Sequence, residues 1–307
     1  MPDILVVGSL NADLVVRAPR FPKPGETISG EDLHIIPGGK GANQAVAAAR
    51  QSASVAMVGR VGNDSFGPEL INNLKQNNVD TSHIQIDSHS ATGTAIIVVD
   101  SNGQNSIVLS PGGNGKVSHA DVMNVSFSDH KLLLLQLEIP IEAVLSATQR
   151  AKENGVRVLL NPAPAYSLPD ELISLPDFIL PNENELSLLT NQLVNDISSA
   201  EKAAKKLLKR RAQNVIVTLG ANGALIVSSK QVTHVDTYKV DVVDTTAAGD
   251  AFIGGFASAV LQNKSLEESV RYGCACGALA ATKFGAQPSL PTREEVERFM
   301  SLRGGAG

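Results

Sequence analysis

The chain has 307 residues, of which 43% are hydrophobic and 19% are charged, and its formal net charge is −5. These values are typical of a globular protein long enough to bury a large core, and the negative charge gives no electrostatic basis for binding nucleic acid or an anionic membrane. Because no apolar run reaches the roughly 18 residues that cross a bilayer and the amino terminus lacks the basic start of a signal peptide, we expect a cytoplasmic protein.

The first predicted element is a buried strand over residues 4–7 that stops at a Gly-Ser turn. Asn11 and Asp13 follow this strand. Since they are two residues apart, their side chains project to the same side of an extended chain, where an amide and a carboxylate can clamp neighbouring hydroxyl groups. An Asx turn is the alternative interpretation of this pair.

Two β patches occur early in the chain. Residues 12–36 carry prolines and alternating apolar residues, as edge strands do. Residues 94–109 contain a second patch with a turn at Ser101-Asn102-Gly103, which predicts a hairpin. We expect these patches to form a small sheet that covers another part of the molecule.

A glycine-rich segment over residues 38–44 opens a predicted helix over 42–50. Lys40 is followed by Gly41 rather than by Ser or Thr, so the segment is not a Walker-type phosphate loop. Its glycines let a polyhydroxylated ligand lie against the backbone, and Lys40 and Asn43 offer donors to hydroxyl groups. A plain glycine-rich helix start is the alternative.

The rest of the chain alternates short apolar runs with amphipathic segments. This pattern predicts an α/β fold with a mostly parallel sheet and helices on both faces, and in such sheets ligands bind beyond the carboxyl ends of the strands. A tail over 304–307 is expected to fray. We predict strands at 55–58, 132–137, 156–160, 178–180 and 215–219, and helices at 66–77, 141–154, 183–190, 199–211, 249–262, 266–283 and 292–301.

Polar residues follow several of these strands. Glu138 comes after the strand at 132–137 and is a candidate ligand contact. Asn182 and Glu185 open a helix, where oxygen ligands can organise the water shell of Mg²⁺ or where the two residues can simply cap the helix. The turn from Thr218 to Gly223 can present backbone amides to phosphate, although a plain hairpin turn has the same sequence pattern.

Asp250 lies in the first turn of a predicted helix, directly after the small residues Ala247, Ala248 and Gly249. The backbone amides of this turn and the positive end of the helix dipole can hold a phosphoryl group. A carboxylate beside that group can accept the proton of an attacking hydroxyl. The alternative is an ordinary aspartate that stabilises the helix dipole.

Other catalytic classes find less support. Cys274 and Cys276 are the only cysteines and lie two residues apart in a predicted helix, so neither a disulfide framework nor a four-ligand zinc site is available. We predict that both are packing residues. A dinucleotide-binding Gly-x-Gly-x-x-Gly motif is absent, which disfavours a sugar dehydrogenase.

Together these segments resemble the ribokinase family of ATP-dependent carbohydrate kinases, and the resemblance covers essentially the whole chain. Segments that begin at Gly38, Asn161 and Gly285 resemble the ribokinases of this family more than its fructokinases or adenosine kinases. The resemblance implies one Rossmann-like kinase domain over 1–307. It also implies a small β lid, formed by about 12–36 and 93–110, that pairs two subunits into a homodimer.

The resemblance implies D-ribose and ATP as substrates, Mg²⁺ as a required ion and K⁺ as an activator. Asp250 would be the general base for the ribose 5-hydroxyl, and the amides of Ala247, Ala248, Gly249 and Asp250 would form an anion hole. The implied ribose ligands are Asn11, Asp13, Gly39, Lys40, Gly41, Asn43, Glu138 and Asp250. The implied ATP contacts are Asn182, Thr218, Gly220, Asn222, Gly223, Gly249 and Cys274. Glu185 would order the Mg²⁺ shell, and the implied K⁺ loop contains Asp244, Thr246, Ala280, Lys283, Gly285 and Ser289.

Two positions depart from the broader family. By the resemblance, Ala247 stands where the family usually has Gly, although ribokinases often share this Ala, and Cys274 would lie near the adenine, where some relatives carry His. The substrate also stays open at this point. Another sugar or nucleoside, such as fructose, deoxyribose or pseudouridine, and a non-catalytic sensor of ribose or nucleotide are the alternatives.

Overall fold

The computed structural model describes residues 2–304. Of the tail predicted over 304–307, Gly304 ends the last helix, and residues 305–307 lie outside the described residues. The strands are β1 (Ile4–Val7), β2 (Asn11–Arg17), β3 (His34–Gly38), β4 (Val55–Gly62), β5 (Val79–Asp87), β6 (Gly93–Val99), β7 (Asn105–Ser110), β8 (Leu132–Leu135), β9 (Arg157–Leu160), β10 (Phe178–Ile179), β11 (Asn214–Thr218), β12 (Ala224–Ser228) and β13 (Val232–Val235). The α-helices are α1 (Lys40–Arg50), α2 (Phe66–Gln76), α3 (His119–Met123), α4 (Ile141–Glu153), α5 (Asp170–Ser174), α6 (Glu183–Thr190), α7 (Ile197–Lys209), α8 (Ala248–Leu261), α9 (Leu266–Ala280) and α10 (Arg293–Gly304).

The central sheet confirms the predicted α/β class. Within residues 2–304 it has nine strands in the order β13-β12-β11-β10-β9-β8-β1-β4-β5. The strands from β5 to β11 run parallel, whereas β12 and β13 pair antiparallel at one edge. The predicted strands and long helices are all present, with ends that shift by a few residues. The sequence analysis missed β5, β12, β13 and the short helices α3 and α5.

Helices cover both faces of this sheet because its strands are apolar on both sides. Ile4 and Val6 point into a core formed with α1, α2, α8, α9 and α10. Leu5 and Val7, which alternate with them, point into the opposite core with α4 and α7. All four side chains are fully buried. Such strands form only when both faces are covered, as the unbroken apolar runs predict.

The strand order places a crevice beside β1. From β1 the chain moves to β4 and β5 on one side and later to β8 and its neighbours on the other. At such a reversal the connections leave in opposite directions, which opens a gap beyond the carboxyl ends of the two adjacent strands. The residues after β1 and β8 therefore face the same gap.

The two early β patches form a separate sheet, as predicted. It has four strands within the described part of the chain, in the order β3-β2-β6-β7. The hairpin of β6 and β7 is confirmed, whereas the parallel pairing of β2 with β6 joins segments about eighty residues apart and was not predicted. No helix of the described residues combines the length and apolar character needed to cross a membrane.

Candidate active site

Ser9 and Glu138 meet in the gap between β1 and β8. Ser9 Oγ donates a hydrogen bond to Glu138 Oε2 at 2.5 Å and accepts one from the Gly41 amide at 3.2 Å. The same carboxylate oxygen accepts from the Lys40 amide at 3.0 Å. Glu138 is thus fixed to the start of α1, and its second oxygen is left to face the gap. Sequence analysis did not select Ser9, although its place directly after β1 is the same signal that selected Glu138.

Asn11 and Asp13 both lie in β2, so the extended geometry is the one observed. They pair with Gly38 and Ile36 across the sheet, and both are buried. Asn11 Oδ1 accepts from Asn114 Nδ2 at 2.7 Å, which orients the Nδ2 group of Asn11 away from Asn114. The small sheet therefore delivers an amide donor and a carboxylate to the gap.

Glycines at the start of α1 allow this close approach. A Cβ on Gly38 would lie only 2.0 Å from Asp13 Oδ2, and one on Gly41 would lie 2.5 Å from the Ser9 amide nitrogen. Gly39 has φ +88° at the N-cap, a conformation that L side chains rarely adopt. The glycine-rich segment hence packs α1 against β1 and β2 and aims Lys40 into the site.

Asp250 lies in the first turn of α8 and is buried. Its Oδ2 accepts a hydrogen bond from Asn43 Nδ2 at 3.0 Å, and its Oδ1 accepts one from Gln44 Nε2 at 3.0 Å. Burial raises the pKa of this carboxyl, while the charge of Lys40 and the two amide donors oppose that rise. The carboxylate points toward α1 and the candidate ribose ligands. A carboxylate that only stabilised the helix dipole would point outward instead.

The amino-terminal end of α8 is open to a ligand. Ala247 occupies the N-cap position, and among the described residues no side chain caps this end of the helix. Gly249 is exposed, and a Cβ there would meet no atom within 4 Å. First-turn amides without a cap need another acceptor, and an anion is the acceptor that the helix dipole favours.

Acidic side chains gather around one lysine. Burial would lower the pKa of Lys40, but the negative charges of Asp250, Glu138, Glu185 and Asp13 outweigh burial and raise it. Burial raises the pKa of Asp13 to about 7, and the neighbouring charges of Glu138 and Asp250 add to that rise. Lys40 therefore stays positive and holds together a site with a large excess of negative charge.

Asn182, Glu185 and Thr218 lie together at the ends of β10 and β11. Asn182 and Glu185 form a reciprocal capping box, in which each side chain accepts from the other's backbone amide at 2.8–2.9 Å. Burial raises the pKa of Glu185 to about 7, against the opposing pull of the Asn182 amide and Lys40. Asn182 also forms a β-bridge with Thr218. The structural role of Asn182 and Glu185 is thus observed.

The turn after β11 joins two antiparallel strands through a short 3-10 helix over Gly220–Asn222. Gly220 and Gly223 both have positive φ, and a Cβ on Gly223 would lie 2.9 Å from the Thr237 amide nitrogen. Cys274 is buried beside Thr237, and burial raises the pKa of its thiol to about 12. Thr237 thus lies between Cys274 and the turn, and the Cys274 thiol is neutral. Cys276 is buried in the core.

The segments proposed to hold K⁺ are also adjacent. Asp244 Oδ1 accepts from the amide and hydroxyl of Thr246, and its Oδ2 accepts from the Gly285 amide at 2.9 Å. Although burial opposes it, these hydrogen bonds hold the pKa of Asp244 below its usual value. Ser289 Oγ donates to the Ala286 carbonyl, and the amide of Lys283 donates to the Ala280 carbonyl. The Lys283 side chain instead pairs with Glu295 at 2.7 Å.

Two cavities adjoin the site. One of about 280 Å³ lies between Asp13 and Ile97 of the small sheet and the loop that contains Thr245 and Phe284. A larger one of about 550 Å³ lies beside Asn11 and Glu138. Across residues 2–304, no group of three or more His, Cys, Asp or Glu residues is arranged to hold a metal ion by itself.

Replacing Asp13 with Asn is expected to stabilise the ligand-free protein. Burial raises the pKa of Asp13 from its ordinary value of 3.8 to about 7, so the folded state binds more protons between those values and loses stability as the pH rises through them. The asparagine does not titrate, so at about pH 8 the variant should be more stable by roughly 1–3 kcal/mol. Urea unfolding at several pH values measures this difference.

The matched control is Asp129→Asn, because Asp129 is exposed. This variant should be no more stable than the wild type at about pH 8. An Asp13→Asn variant that is no more stable than the wild type at high pH would show that the buried Asp13 charge does not lower the stability of the folded state.

Comparison with known proteins gives one consistent result. The model of the pfkB family carbohydrate kinases matches residues 1–293. The chain is similar to a ribokinase of Haemophilus influenzae, at 46% identity over 97% of this chain and 98% of the relative. A crystal structure of a ribokinase from Thermotoga maritima has a TM-score of 0.89 at 40% identity and covers 98% of this chain and all of that chain. An Arabidopsis thaliana ribokinase complexed with ribose and ATP has a TM-score of 0.90 at 34% identity and covers 97% of this chain and 98% of that chain.

Proposed function

Since the chain belongs to the pfkB family of carbohydrate kinases, we infer that it transfers the γ-phosphoryl group of ATP to the 5-hydroxyl of D-ribose and forms ribose 5-phosphate and ADP. One observation supports this reaction above all others. Asp250, a buried carboxylate, lies at an uncapped helix start and is held by α1, the helix that also carries Lys40. A proton acceptor and an anion site thus lie within one helical turn of each other.

Each group has a defined task in the proposed transfer. Asp250 accepts the proton of the 5-hydroxyl as that oxygen attacks the phosphorus, and the amides of Ala247 to Asp250 stabilise the charge on the transferred group. Asn11, Asp13, Asn43 and Glu138 orient the sugar through its other hydroxyl groups. The turn from Thr218 to Gly223 holds the nucleotide on the other side of the uncapped α8 terminus.

We propose that Mg²⁺ enters with the nucleotide. Such an ion would keep several waters and be held mainly by the phosphates of the nucleotide, since Mg²⁺ typically uses few protein carboxylates. Glu185 would accept hydrogen bonds from such waters, since it is buried beside Asn182 at the proposed nucleotide end of the site. The ion would neutralise the negative charge that develops on the leaving phosphate oxygens during the transfer.

We also propose K⁺ activation through the loop at Asp244. Asp244, Thr246 and Gly285 hold two segments together just before α8 begins. A monovalent cation coordinated mainly by backbone carbonyl oxygens of these segments would fix the start of α8 and so the anion site. The hydrogen bonds that already occupy the Asp244 carboxylate favour carbonyl oxygens as ligands.

The small sheet is the proposed lid, and its outer face is the proposed dimer surface. Leu14, Ile35, Ile96 and Val108 lie in register across the four described strands of this sheet. Ile96 and Val108 are 50% and 63% exposed, while Asp13 and Ile97 on the other face line the cavity. An apolar row of this kind is typical of an interface, and the proposed partner is the same face of a second copy of the chain.

The variant Ile96→Arg is expected to be monomeric where the wild type is a dimer, because a charge at the centre of an apolar interface is costly to bury. Sedimentation equilibrium measures the mass of each. Leu193→Arg is the control, since Leu193 is also an exposed aliphatic residue but lies outside the small sheet. A monomeric wild type, or an Ile96→Arg variant that stays dimeric, would contradict the proposed interface.

The reaction proposed here and the free thiols of Cys274 and Cys276 both favour a cytoplasmic enzyme, because ATP and reducing conditions occur together there. We propose that residues 1–307 form one kinase domain with its lid.

A coupled assay of ADP release with a panel of sugars and nucleosides tests the function. We expect the highest kcat/KM with D-ribose, compared with fructose, 2-deoxyribose and pseudouridine, no activity without Mg²⁺, and a lower rate when K⁺ is replaced by tetramethylammonium. A higher kcat/KM for another substrate would reassign the enzyme within its family. Calorimetric ribose binding with no ADP formed under any condition would indicate a sensor.

A further inference from the structure

Gln44 is buried completely behind the catalytic carboxylate and has no role in the reaction described so far. It follows Asn43 in α1, and its Nε2 group donates to Asp250 Oδ1 at 3.0 Å. Asn43 holds the other oxygen, Oδ2. Both oxygens of Asp250 are thus restrained by consecutive residues of one helix. Two restraints fix the plane of a carboxylate, whereas one alone leaves it free to rotate about its bond.

The orientation of the Gln44 amide is itself determined by neighbours from the central sheet. Gln136, just after β8, donates from Nε2 to Gln44 Oε1 at 2.5 Å. Asn161, just after β9, donates to the Leu180 carbonyl at 2.9 Å, so its Oδ1 turns to Gln44 and accepts from Nε2 at 3.1 Å. Because a carbonyl can only accept, this chain of hydrogen bonds has one consistent direction. The Gln44 NH₂ group must therefore face Asp250.

The charged groups around Asp250 do not fix it in the same way. Lys40 on α1, Asp13 on β2, Glu138 after β8 and Glu185 on α6 all act on the site through their charges. Within residues 2–304 none of the ion pairs includes Asp250. The neutral amides are the groups that hold the carboxylate in place.

We propose that Gln44 is a positioning residue for phosphoryl transfer, which Gln136 and Asn161 orient so that its amide fixes the Asp250 carboxylate toward the 5-hydroxyl. This inference rests on the proposed function. Gln44 acts through Asp250 and does not touch the sugar, so its loss should change kcat rather than ribose binding. Loss of a donor to the ionised form should also raise the pKa of Asp250.

The variant Gln44→Met tests this role, because methionine fills nearly the same volume without a donor. We expect kcat near pH 7 to fall by about 10- to 100-fold, with the KM for ribose changed by less than about threefold. The acid limb of the kcat profile should move to higher pH, since the base must be ionised, so the deficit should shrink as the pH rises.

Gln51→Met is the matched control. Gln51 is a buried glutamine at the end of the same helix, where it donates to the Pro291 carbonyl and accepts from Tyr272, away from the site. This variant should lower the unfolding temperature but keep the wild-type kcat and pH profile. If Gln44→Met does not fold, Gln136→Leu supplies the test, because it releases Gln44 without contacting Asp250. We expect a shift in the same direction but a smaller one.

The outcomes separate the two claims. A wild-type chain that phosphorylates ribose, with Gln44→Met at the wild-type kcat and pH profile, would overturn the role of Gln44 alone. An equal loss of rate at every pH would also overturn it, because that result indicates only a structural contribution. A wild-type chain that transfers no phosphoryl group would overturn the proposed function and this inference with it.

Discussion

Asp250→Asn is expected to lower kcat by roughly 10²- to 10⁴-fold, the usual contribution of a general base. The amide cannot accept the proton of the ribose 5-hydroxyl. It has the size of the carboxylate, and its NH₂ group can face Asn43, whose Oδ1 has no hydrogen-bond partner among the described residues and can turn to accept, while its oxygen keeps the hydrogen bond from Gln44. Coupled ADP release at saturating ribose and ATP measures the change. Ribose binding should survive, because Asn11, Asp13 and Glu138 remain.

Stability separates loss of the base from loss of the fold. Burial raises the pKa of Asp250, so removing its charge should not lower the unfolding temperature of the ligand-free protein. A folded variant with kcat within threefold of the wild type would exclude Asp250 as the base. A variant with no ribose binding would instead place Asp250 among the residues required to hold the sugar.

Gly254→Ala should weaken both stability and catalysis, because α1 and α8 touch at this residue. A Cβ on Gly254 would lie 2.4 Å from Ala47 Cβ and 2.6 Å from the Ala48 amide nitrogen. Despite the better helix propensity of alanine, we expect overpacking to cost about 1–3 kcal/mol. Gly254 lies one helical turn after Asp250, and Ala47 lies one turn after Asn43, so spreading the helices lengthens the contact that holds the base.

A displacement of Asp250 by about 1 Å can lower kcat by about 10²-fold. Urea unfolding and steady-state kinetics of Gly254→Ala measure the two effects. Gly249→Ala is the control for stability, since a Cβ there meets no atom within 4 Å in the first turn of the same helix. We expect no loss of unfolding free energy in that control. If Gly254→Ala has wild-type stability and kcat, the tight α1–α8 contact does not position the base.

The sequence predicted most of the central sheet because its strands are buried on both faces. Runs such as Leu132 to Leu135 are apolar at every position and end at polar residues, which identified both the strands and the gap at their carboxyl ends. By contrast, β5 has polar residues at most positions and lies at an edge, so its sequence carries no such signal. At the other end of the sheet, β12 and the edge strand β13 follow a turn whose sequence fits either a phosphate-binding turn or a plain hairpin.

The site could be predicted only in part. Asp250 was found because small residues before a helix are a local pattern, and Lys40 and Asn43 because they lie in one glycine-rich segment. Gln44 and Gln136 were missed as contributors, since their roles depend on side chains more than ninety residues apart in the chain. Periodicity reports which face of an element is buried, but it does not report which buried amide meets which carboxylate.

The most direct test of the account is a crystal structure of this chain with D-ribose and a non-hydrolysable ATP analogue. We predict that an Asp250 carboxylate oxygen lies within about 3.2 Å of the ribose 5-oxygen, the reach of a general base. The terminal phosphate should lie against the amides of residues 247–250, in line with that oxygen. A sugar bound with its 5-hydroxyl away from Asp250, or a phosphate held elsewhere, would contradict the proposed mechanism.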